Sequence, residues 1–174
     1  METGKHARQA GVVVLRRDVR PGDPAVVEEI VRSTGFFRED EVTVAVELVE
    51  ERLANGAVSG YDFLFAEVDG KCLGYTCFGP IPFTQYSWDL YWVAVDESFR
   101  GLGLGKLLVA ETEHRIAFNG GRQIYAETSS RGQYAPTRAF YKKLGYGREA
   151  FFEDFYSPGD SKIVFVKRGF NEPE

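Results

Sequence analysis

The chain is poor in the residues that build metal sites and disulfides. It has two cysteines, two histidines and one methionine in 174 residues. Cys72 and Cys77 stand five apart in one strand-like run. On a regular strand an odd separation sends them to opposite faces, so they are not expected to bridge. There is no CxxC or Cys/His cluster, and His6 and His114 share no motif. No metal site is therefore expected. A basic surplus is missing too. Lys and Arg number 21 against 26 Asp and Glu, a net charge of −5, the wrong sign for a chain that mainly grips nucleic-acid phosphates. No run approaches the ~20 apolar residues of a membrane span. Residues 1–11 lack the apolar core of a secretory signal. The expected setting is cytoplasmic, with neither membrane nor nucleic acid as partner.

What remains is a globular composition, 44% hydrophobic and 27% charged, at a length that fits one domain with a proper core. Residues 1–10 are expected to be a flexible tail and 11–174 a single domain. Val12–Arg17 reads as a strand. Asp23-Pro24 reads as a helix start, with Asp as cap and Pro in the first turn. A second helix from about Glu39 carries Val42, Ala45, Val46, Val49 and Leu53 at helical spacing and stops near Asn55-Gly56. Tyr61–Val68 and Cys72–Gly79 form a hairpin about Asp69-Gly70. Trp88–Val95 is almost wholly apolar, hence a central strand. A helix over Lys106–Phe118, a strand over Gln123–Thr128 and a short helix over Pro136–Leu144 follow. Strands near Arg148–Tyr156 and Lys162–Lys167 close the chain. The order β-α-α-β-β-β-α-β-α-β-β predicts an α/β (α+β) mixed sheet with helices on its faces.

The most informative stretch is Arg100-Gly101-Leu102-Gly103-Leu104-Gly105-Lys106, between a buried strand and a helix. A helix start leaves backbone N–H groups free and carries the positive end of the dipole, which favours phosphate. Glycines admit the phosphate without a Cβ in the way. A Walker A loop fails here, because position 100 is Arg and Leu107 replaces Ser/Thr. A GxGxxG fingerprint fails from Gly101, which meets Lys106, and from Gly103, which meets Leu108. The pattern Arg/Gln-x-x-Gly-x-Gly/Ala after a strand matches fully at Arg100, Gly103 and Gly105.

Here the sequence resembles the GNAT superfamily of N-acetyltransferases. The run Trp92–Gly105 is similar to its strand–loop–helix motif. Thr137-Arg138-Ala139-Phe140-Tyr141-Lys142-Lys143-Leu144-Gly145-Tyr146 is similar to its second motif, FYxxxGF/Y. The resemblance covers residues 12–168. It implies a sheet of about six or seven strands splayed between strands 4 and 5, with about four helices. It implies acetyl-CoA as cosubstrate, an amine as acceptor, and direct transfer in a ternary complex. The pyrophosphate would lie on Arg100, Gly101, Leu102, Gly103, Leu104, Gly105 and Lys106. The amides of Val93, Ala94 and Val95 would hold the pantetheine and thioester. Tyr141 matches the family's tyrosine beside the sulfur and would act as general acid; the plain alternative is a packing residue. For the general base the candidates are Asp89, then Glu127, then Glu47, with an ordered water as the alternative. Asp89 is expected on one strand face with Tyr91, Val93 and Val95. The family's Asn seven before the tyrosine and Ala four before it are here Tyr134 and Thr137, so Tyr134 or Ser129 would have to replace the Asn contact. Phe83, Tyr86 and Trp88 are expected to line the acceptor site. Family habit and the C-terminal strands suggest a homodimer. A non-catalytic acyl-CoA-binding module on the same fold is the competing reading.

Overall fold

The computed structural model describes residues 11–170. The tail expected at residues 1–10 lies outside them, as do residues 171–174. The elements run β1 (Val13–Arg16), α1 (Asp23–Ser33), α2 (Glu39–Asn55), β2 (Asp62–Val68), β3 (Lys71–Pro80), β4 (Ser87–Val95), α3 (Leu104–Phe118), β5 (Gln123–Ser129), α4 (Ala135–Lys143), β6 (Gly147–Ser157) and β7 (Asp160–Arg168). The seven strands form one mixed sheet in the order β1-β2-β3-β4-β5-β7-β6. Every neighbouring pair is antiparallel except β4–β5, which is parallel.

Two cores lie on opposite faces of the sheet. One joins α3 and α4 to the sheet through Leu104, Leu108, Ile116, Tyr141, Ile124 and Phe165. The other joins α1 and α2 through Val27, Ile30, Val42, Val49, Phe65 and Tyr75. The helical stripe of α2 is buried at Val42, Ala45 and Val49, as its spacing requires. The β2–β3 turn has Asp69 and Gly70 both at positive φ, 51° and 78°, the geometry that favours Asp-Gly in a two-residue hairpin.

Asp23 departs from its expected role. The cap position of α1 is Gly22, without a side-chain cap, and Asp23 sits inside the first turn. Its carboxylate instead accepts two hydrogen bonds of 2.8 Å from the Arg16 guanidinium and one of 2.7 Å from the Arg20 amide. Arg16 also donates to Glu67 at 2.7 Å. This buried cluster ties β1 and β2 to the start of α1.

Two β-bulges change side-chain facing. In β3, Gly74 pairs with Ala66 and Cys72 with Glu67, so Leu73 is the extra residue. Cys72 and Cys77 therefore pack on the same core, that of α1 and α2, and not on opposite faces. Both are free thiols. In β4, Leu90 pairs with Phe78 and Trp92 with Cys77, so Tyr91 is the extra residue. Before it Trp88 and Leu90 face α3 and α4; after it Val93 and Val95 do. Trp92 and Ala94 face α1 and α2. Asp89 thus lies on the face opposite Val93 and Val95, a correction to the alternation expected of a regular strand.

Candidate active site

β4 and β5 pair only at Ser87–Gln123, Trp88–Ile124 and Asp89–Tyr125. Beyond Asp89 the strands part, and the opening between them is the candidate site. The amide of Asp96 donates to the Leu73 carbonyl at 2.8 Å, on the β3 side. Backbone groups alternate along a strand, so Ala94 also turns its amide to β3. Val93 and Val95 present theirs to the open side. The three-residue amide set thus resolves into two free N–H groups, at Val93 and Val95.

A cavity of about 480 Å³ follows β4 into the glycine-rich loop and reaches α4. Its charged lining residues are Arg100, Lys106 and Lys143, with no carboxylate among them. Gly101 and Gly103 have φ of 79° and 85°, a left-handed conformation that glycine takes without strain. Gly103 is the N-cap of α3. The first bond of the helix runs from the Leu107 amide to the Gly103 carbonyl at 3.0 Å. The amides of Leu104, Gly105 and Lys106 precede that ladder and have no helical partner. Gly105 serves differently: a Cβ there would meet the Phe140 ring at 3.4 Å. Leu102 does not line the cavity and is exposed. Arg100 donates to Glu97 at 2.9 Å and lies over the Phe36 ring.

A second cavity, about 450 Å³, opens between β4, β5 and α2. Its acidic lining residues are Asp40, Glu41, Glu127 and Asp160, against Arg38 and Arg131. Both arginines are already paired, Arg38 with Asp40 and Arg131 with Asp160, each at 3.0 Å. The two cavities share Phe37, Val93, Thr137 and Tyr141 in their linings. Tyr141 is packed by Phe140, Tyr146 and Phe165, with ring centroids 5.4–5.8 Å apart. Burial pushes its phenol up. It is protonated, hence a donor, at neutral pH.

Asp89 sits at the bottom of the opening. Burial pushes its carboxyl up to about 6, and the charge of Glu127 pushes the same way; the Tyr91 hydroxyl and Lys162 act against them. Asp89 does not itself line the acidic cavity, but Tyr91 and Glu127 do. Glu47 is exposed on α2 and lines neither cavity. The three expected acceptor-site aromatics also line neither. Trp88 is buried in the α3–α4 core beside Phe78. Tyr86 is stacked under Arg122, and Phe83 is fully exposed. Trp88 lies where β4 and β5 are still joined, and Phe83 and Tyr86 precede β4 altogether. The Tyr134 hydroxyl lies 3.4 Å from the Phe36 carbonyl, and the Ser129 hydroxyl donates to Asp160. Burial pushes the Cys72 thiol up to about 11 and raises Cys77 as well, so neither is a ready nucleophile. Among the described residues no group of three or more His, Cys, Asp or Glu could hold a metal. Among them, too, no helix is long and apolar enough to cross a membrane.

Sequence reasoning missed Phe37, Thr137, Tyr156 and Asp160. The last two come from the C-terminal hairpin, more than 60 residues beyond the end of β4 at Val95. The sheet order β5-β7-β6, which sets the C-terminal hairpin beside β5, brings them to the opening.

Comparison with known proteins agrees with this geometry. The family model described as "Acetyltransferase (GNAT) family" matches residues 26–146. An uncharacterized N-acetyltransferase of Methanocaldococcus jannaschii is 28% identical over 109 residues, 61% of this chain and 65% of that protein. The match therefore spans just under two thirds of that relative's length. A crystal structure of a candidate GNAT-family acetyltransferase from Desulfovibrio desulfuricans is 46% identical. It covers 90% of this chain and 99% of its own, with a TM-score of 0.89. An aminoglycoside 6'-N-acetyltransferase solved with coenzyme A shares the fold at 20% identity, with coverage of 94% and 98% and a TM-score of 0.72. A splayed mixed sheet, a glycine loop opening a helix, and a family model matched over most of the chain lead to one assignment: the chain belongs to the acetyltransferase (GNAT) family.

Proposed function

We propose that the chain, acting as one domain over residues 11–174, transfers an acetyl group from acetyl-CoA to a primary amine by direct attack in a ternary complex. The observation that carries this reading is the pair of joined cavities with opposite lining charge. The cationic one suits a pyrophosphate, and the acidic one suits an ammonium ion. They meet at Val93 and Tyr141, where donor and acceptor would react.

The residues present fit acetyl-CoA. The amides at the start of α3, turned outward by the left-handed Gly101 and Gly103, would bind the pyrophosphate, with Arg100 and Lys106 adding charge. The Val93 and Val95 amides would hold the arm. One of them would donate to the thioester oxygen as charge develops there, a contribution of about 3 kcal/mol. Acetyl-CoA supplies the activated acyl carbon. The amine nitrogen bonds to that carbon and the carbon–sulfur bond breaks. Tyr141 hydrogen-bonds to the departing sulfur and supplies its proton, and the second proton, shed by the nitrogen after attack, restores the Tyr141 hydroxyl. Asp89, ionised above about pH 6, would take the ammonium proton through an ordered water, since it lies at the bottom of the opening and does not line the cavity itself, with Glu127 as the second carboxylate beside it. An amine with an unperturbed pKa near 10.4 is protonated at neutral pH, so this removal is required before attack. Thr137 stands where the two cavities join and offers a hydroxyl to the arm. Phe83, Tyr86 and Trp88 are replaced in the acceptor wall by Phe37, Tyr91, Tyr134 and Tyr156.

The test is calorimetric binding of acetyl-CoA, then thiol release with a panel of amino acids, polyamines and peptides. Submicromolar to micromolar binding with amine-dependent thiol release is expected. Binding without turnover on any amine would favour a non-catalytic acyl-CoA module. No binding would refute both. We further propose a cytoplasmic enzyme. It would form a homodimer through β6, the terminal strand of the sheet, where Phe151, Phe152, Phe155 and Tyr156 are exposed; light scattering would read its mass.

A further inference from the structure

Phe152 and Phe155 of β6 and the largely covered Lys162 of β7 are not used by the mechanism above. We infer that Lys162 is a positioning residue for the acceptor site, clamped by Phe155 and Phe152 so that its ammonium stays on Glu127 and faces Asp89. The inference rests on the reading of Asp89 as base.

The geometry is specific. Lys162 Nζ lies 3.2 Å from Glu127 Oε1. The same nitrogen stands 4.0 Å from the centroid of the Phe155 ring and 5.3 Å from that of Phe152. The two rings are 6.2 Å apart. The Lys162 side chain is only 15% exposed, although its carboxylate partner is 50% exposed. A free surface lysine would extend into water; this one is held by two ring faces and one anion. Facing is consistent. Ile124 and Ala126 of β5 and Ile163 and Phe165 of β7 enter the α3–α4 core, so Glu127 and Lys162 share the other face, which is also that of Asp89.

The charged and titratable groups that act on Asp89 come from three strands: Tyr91 of β4, Glu127 of β5 and Lys162 of β7. Two neighbouring carboxylates oppose each other's ionisation, so one tends to keep its proton. A protonated carboxyl cannot accept a proton from an amine. A fixed cation on Glu127 removes most of that repulsion and leaves Asp89 free to ionise near neutral pH. A cation loose in the cavity would instead repel the acceptor ammonium. Clamping it on Glu127 serves both ends, and this gives the β6 aromatics a task at the site.

The experiment records kcat/KM against pH with an amine found in the panel. In parallel, the Asp89 carboxyl is titrated by carbon NMR in the free protein. Lys162→Met is expected to raise the acidic midpoint and the Asp89 titration by about half a pH unit or more. Lys162→Arg, which keeps charge and ring contact, should restore both. Phe155→Leu should shift them the same way by less, and Glu127→Gln the opposite way. A purely structural lysine would lower Tm and leave both midpoints in place, which would overturn the inference. Phe155→Leu decides the matter if Lys162→Met does not fold, since it leaves the cation in place but unclamped; unmoved midpoints there would count against the clamp. If Asp89→Asn keeps the acidic limb, the base assignment fails instead, and the NMR titration still reports on Lys162 alone.

Discussion

Gly103 and Gly105 are two residues apart in the same loop, and substitution by alanine should affect them in opposite ways. Gly103 has φ of 85° and open space where a Cβ would go. Alanine there meets no atom but must take a left-handed backbone, at about 1–2 kcal/mol. In a chain of this length 1 kcal/mol moves Tm by about 2–4 °C, so Gly103→Ala should melt about 2–8 °C lower. If the loop relaxes to escape the strain, the amides at 104–106 turn away from the phosphate. A hydrogen bond to a charged group contributes about 1.5–3 kcal/mol, so acetyl-CoA should bind about 10- to 100-fold more weakly. Gly105 has ordinary helical φ, and its added Cβ would touch the Phe140 ring at 3.4 Å. Alanine gains about 0.5–1 kcal/mol over glycine inside a helix. Gly105→Ala should therefore keep or raise Tm and leave the affinity within about threefold. Gly103→Asn, which reaches left-handed φ more readily than alanine, should recover part of the lost Tm. Differential scanning calorimetry and acetyl-CoA titration on the three variants read all of this. Equal losses for Gly103→Ala and Gly105→Ala, or a larger loss for the latter, would refute the assignment of Gly103 to backbone sign and of Gly105 to a position with room for a Cβ against Phe140.

Tyr141→Phe keeps the ring packing and removes the donor; kcat should fall about 100-fold or more with the KM for acetyl-CoA nearly unchanged, as steady-state kinetics would show. Asp89 is raised to about 6 in the fold against about 3.9 unfolded, so its ionisation costs stability that builds between pH 4 and 6 and stays constant above. Asp89→Asn should then raise Tm at pH 8 and leave it unchanged at pH 4, with a gain near 1 kcal/mol once solvent screening is allowed for. A gain confined to low pH would have the wrong sign. Arg16→Met leaves the Asp23 carboxylate buried without its cation and should cost about 3–5 kcal/mol in urea unfolding, whereas exposed Arg38→Met should cost about 1 kcal/mol or less.

What could be read from the sequence was local. Asp69-Gly70, the glycine loop at 101–105 and the α2 stripe each carry their conformation in adjacent residues, and all three fold as their residues require. What could not be read were the bulges. Leu73 and Tyr91 are apolar residues inside apolar runs, so an inserted position leaves no mark on composition or on period-2 alternation. Two facings were misplaced for that reason: the Cys72–Cys77 pair, and Asp89 against Val93. That Phe83, Tyr86 and Trp88 line neither cavity has a related reason. Aromatics near β4 in sequence, such as Trp88, fall before the splay and enter the core. The residues that close the acidic cavity, Tyr156 and Asp160 among them, come from the far end of the chain. The Gly22-led start of α1 shows the same limit. The Asp23 signal was real, but Arg16 and Glu67 decided where its carboxylate went.

The Tyr91 bulge is the point where fold and site become one argument. A regular β4 would keep Asp89 on the same face as Val93, and Val93 packs toward α3 and α4. The carboxylate would then be carried into an apolar core, where an unpaired charge is costly. With Tyr91 inserted, Asp89 faces the α1–α2 side at the bottom of the opening, while Val93 and Val95 still pack against the α3–α4 core and turn their amides to the opening. The parallel pairing with β5 also stops at Asp89, immediately before the inserted residue. One extra residue thus separates three demands that period-2 alternation would set against each other: an apolar seat for the strand, free amides along a cleft, and a carboxylate at its floor.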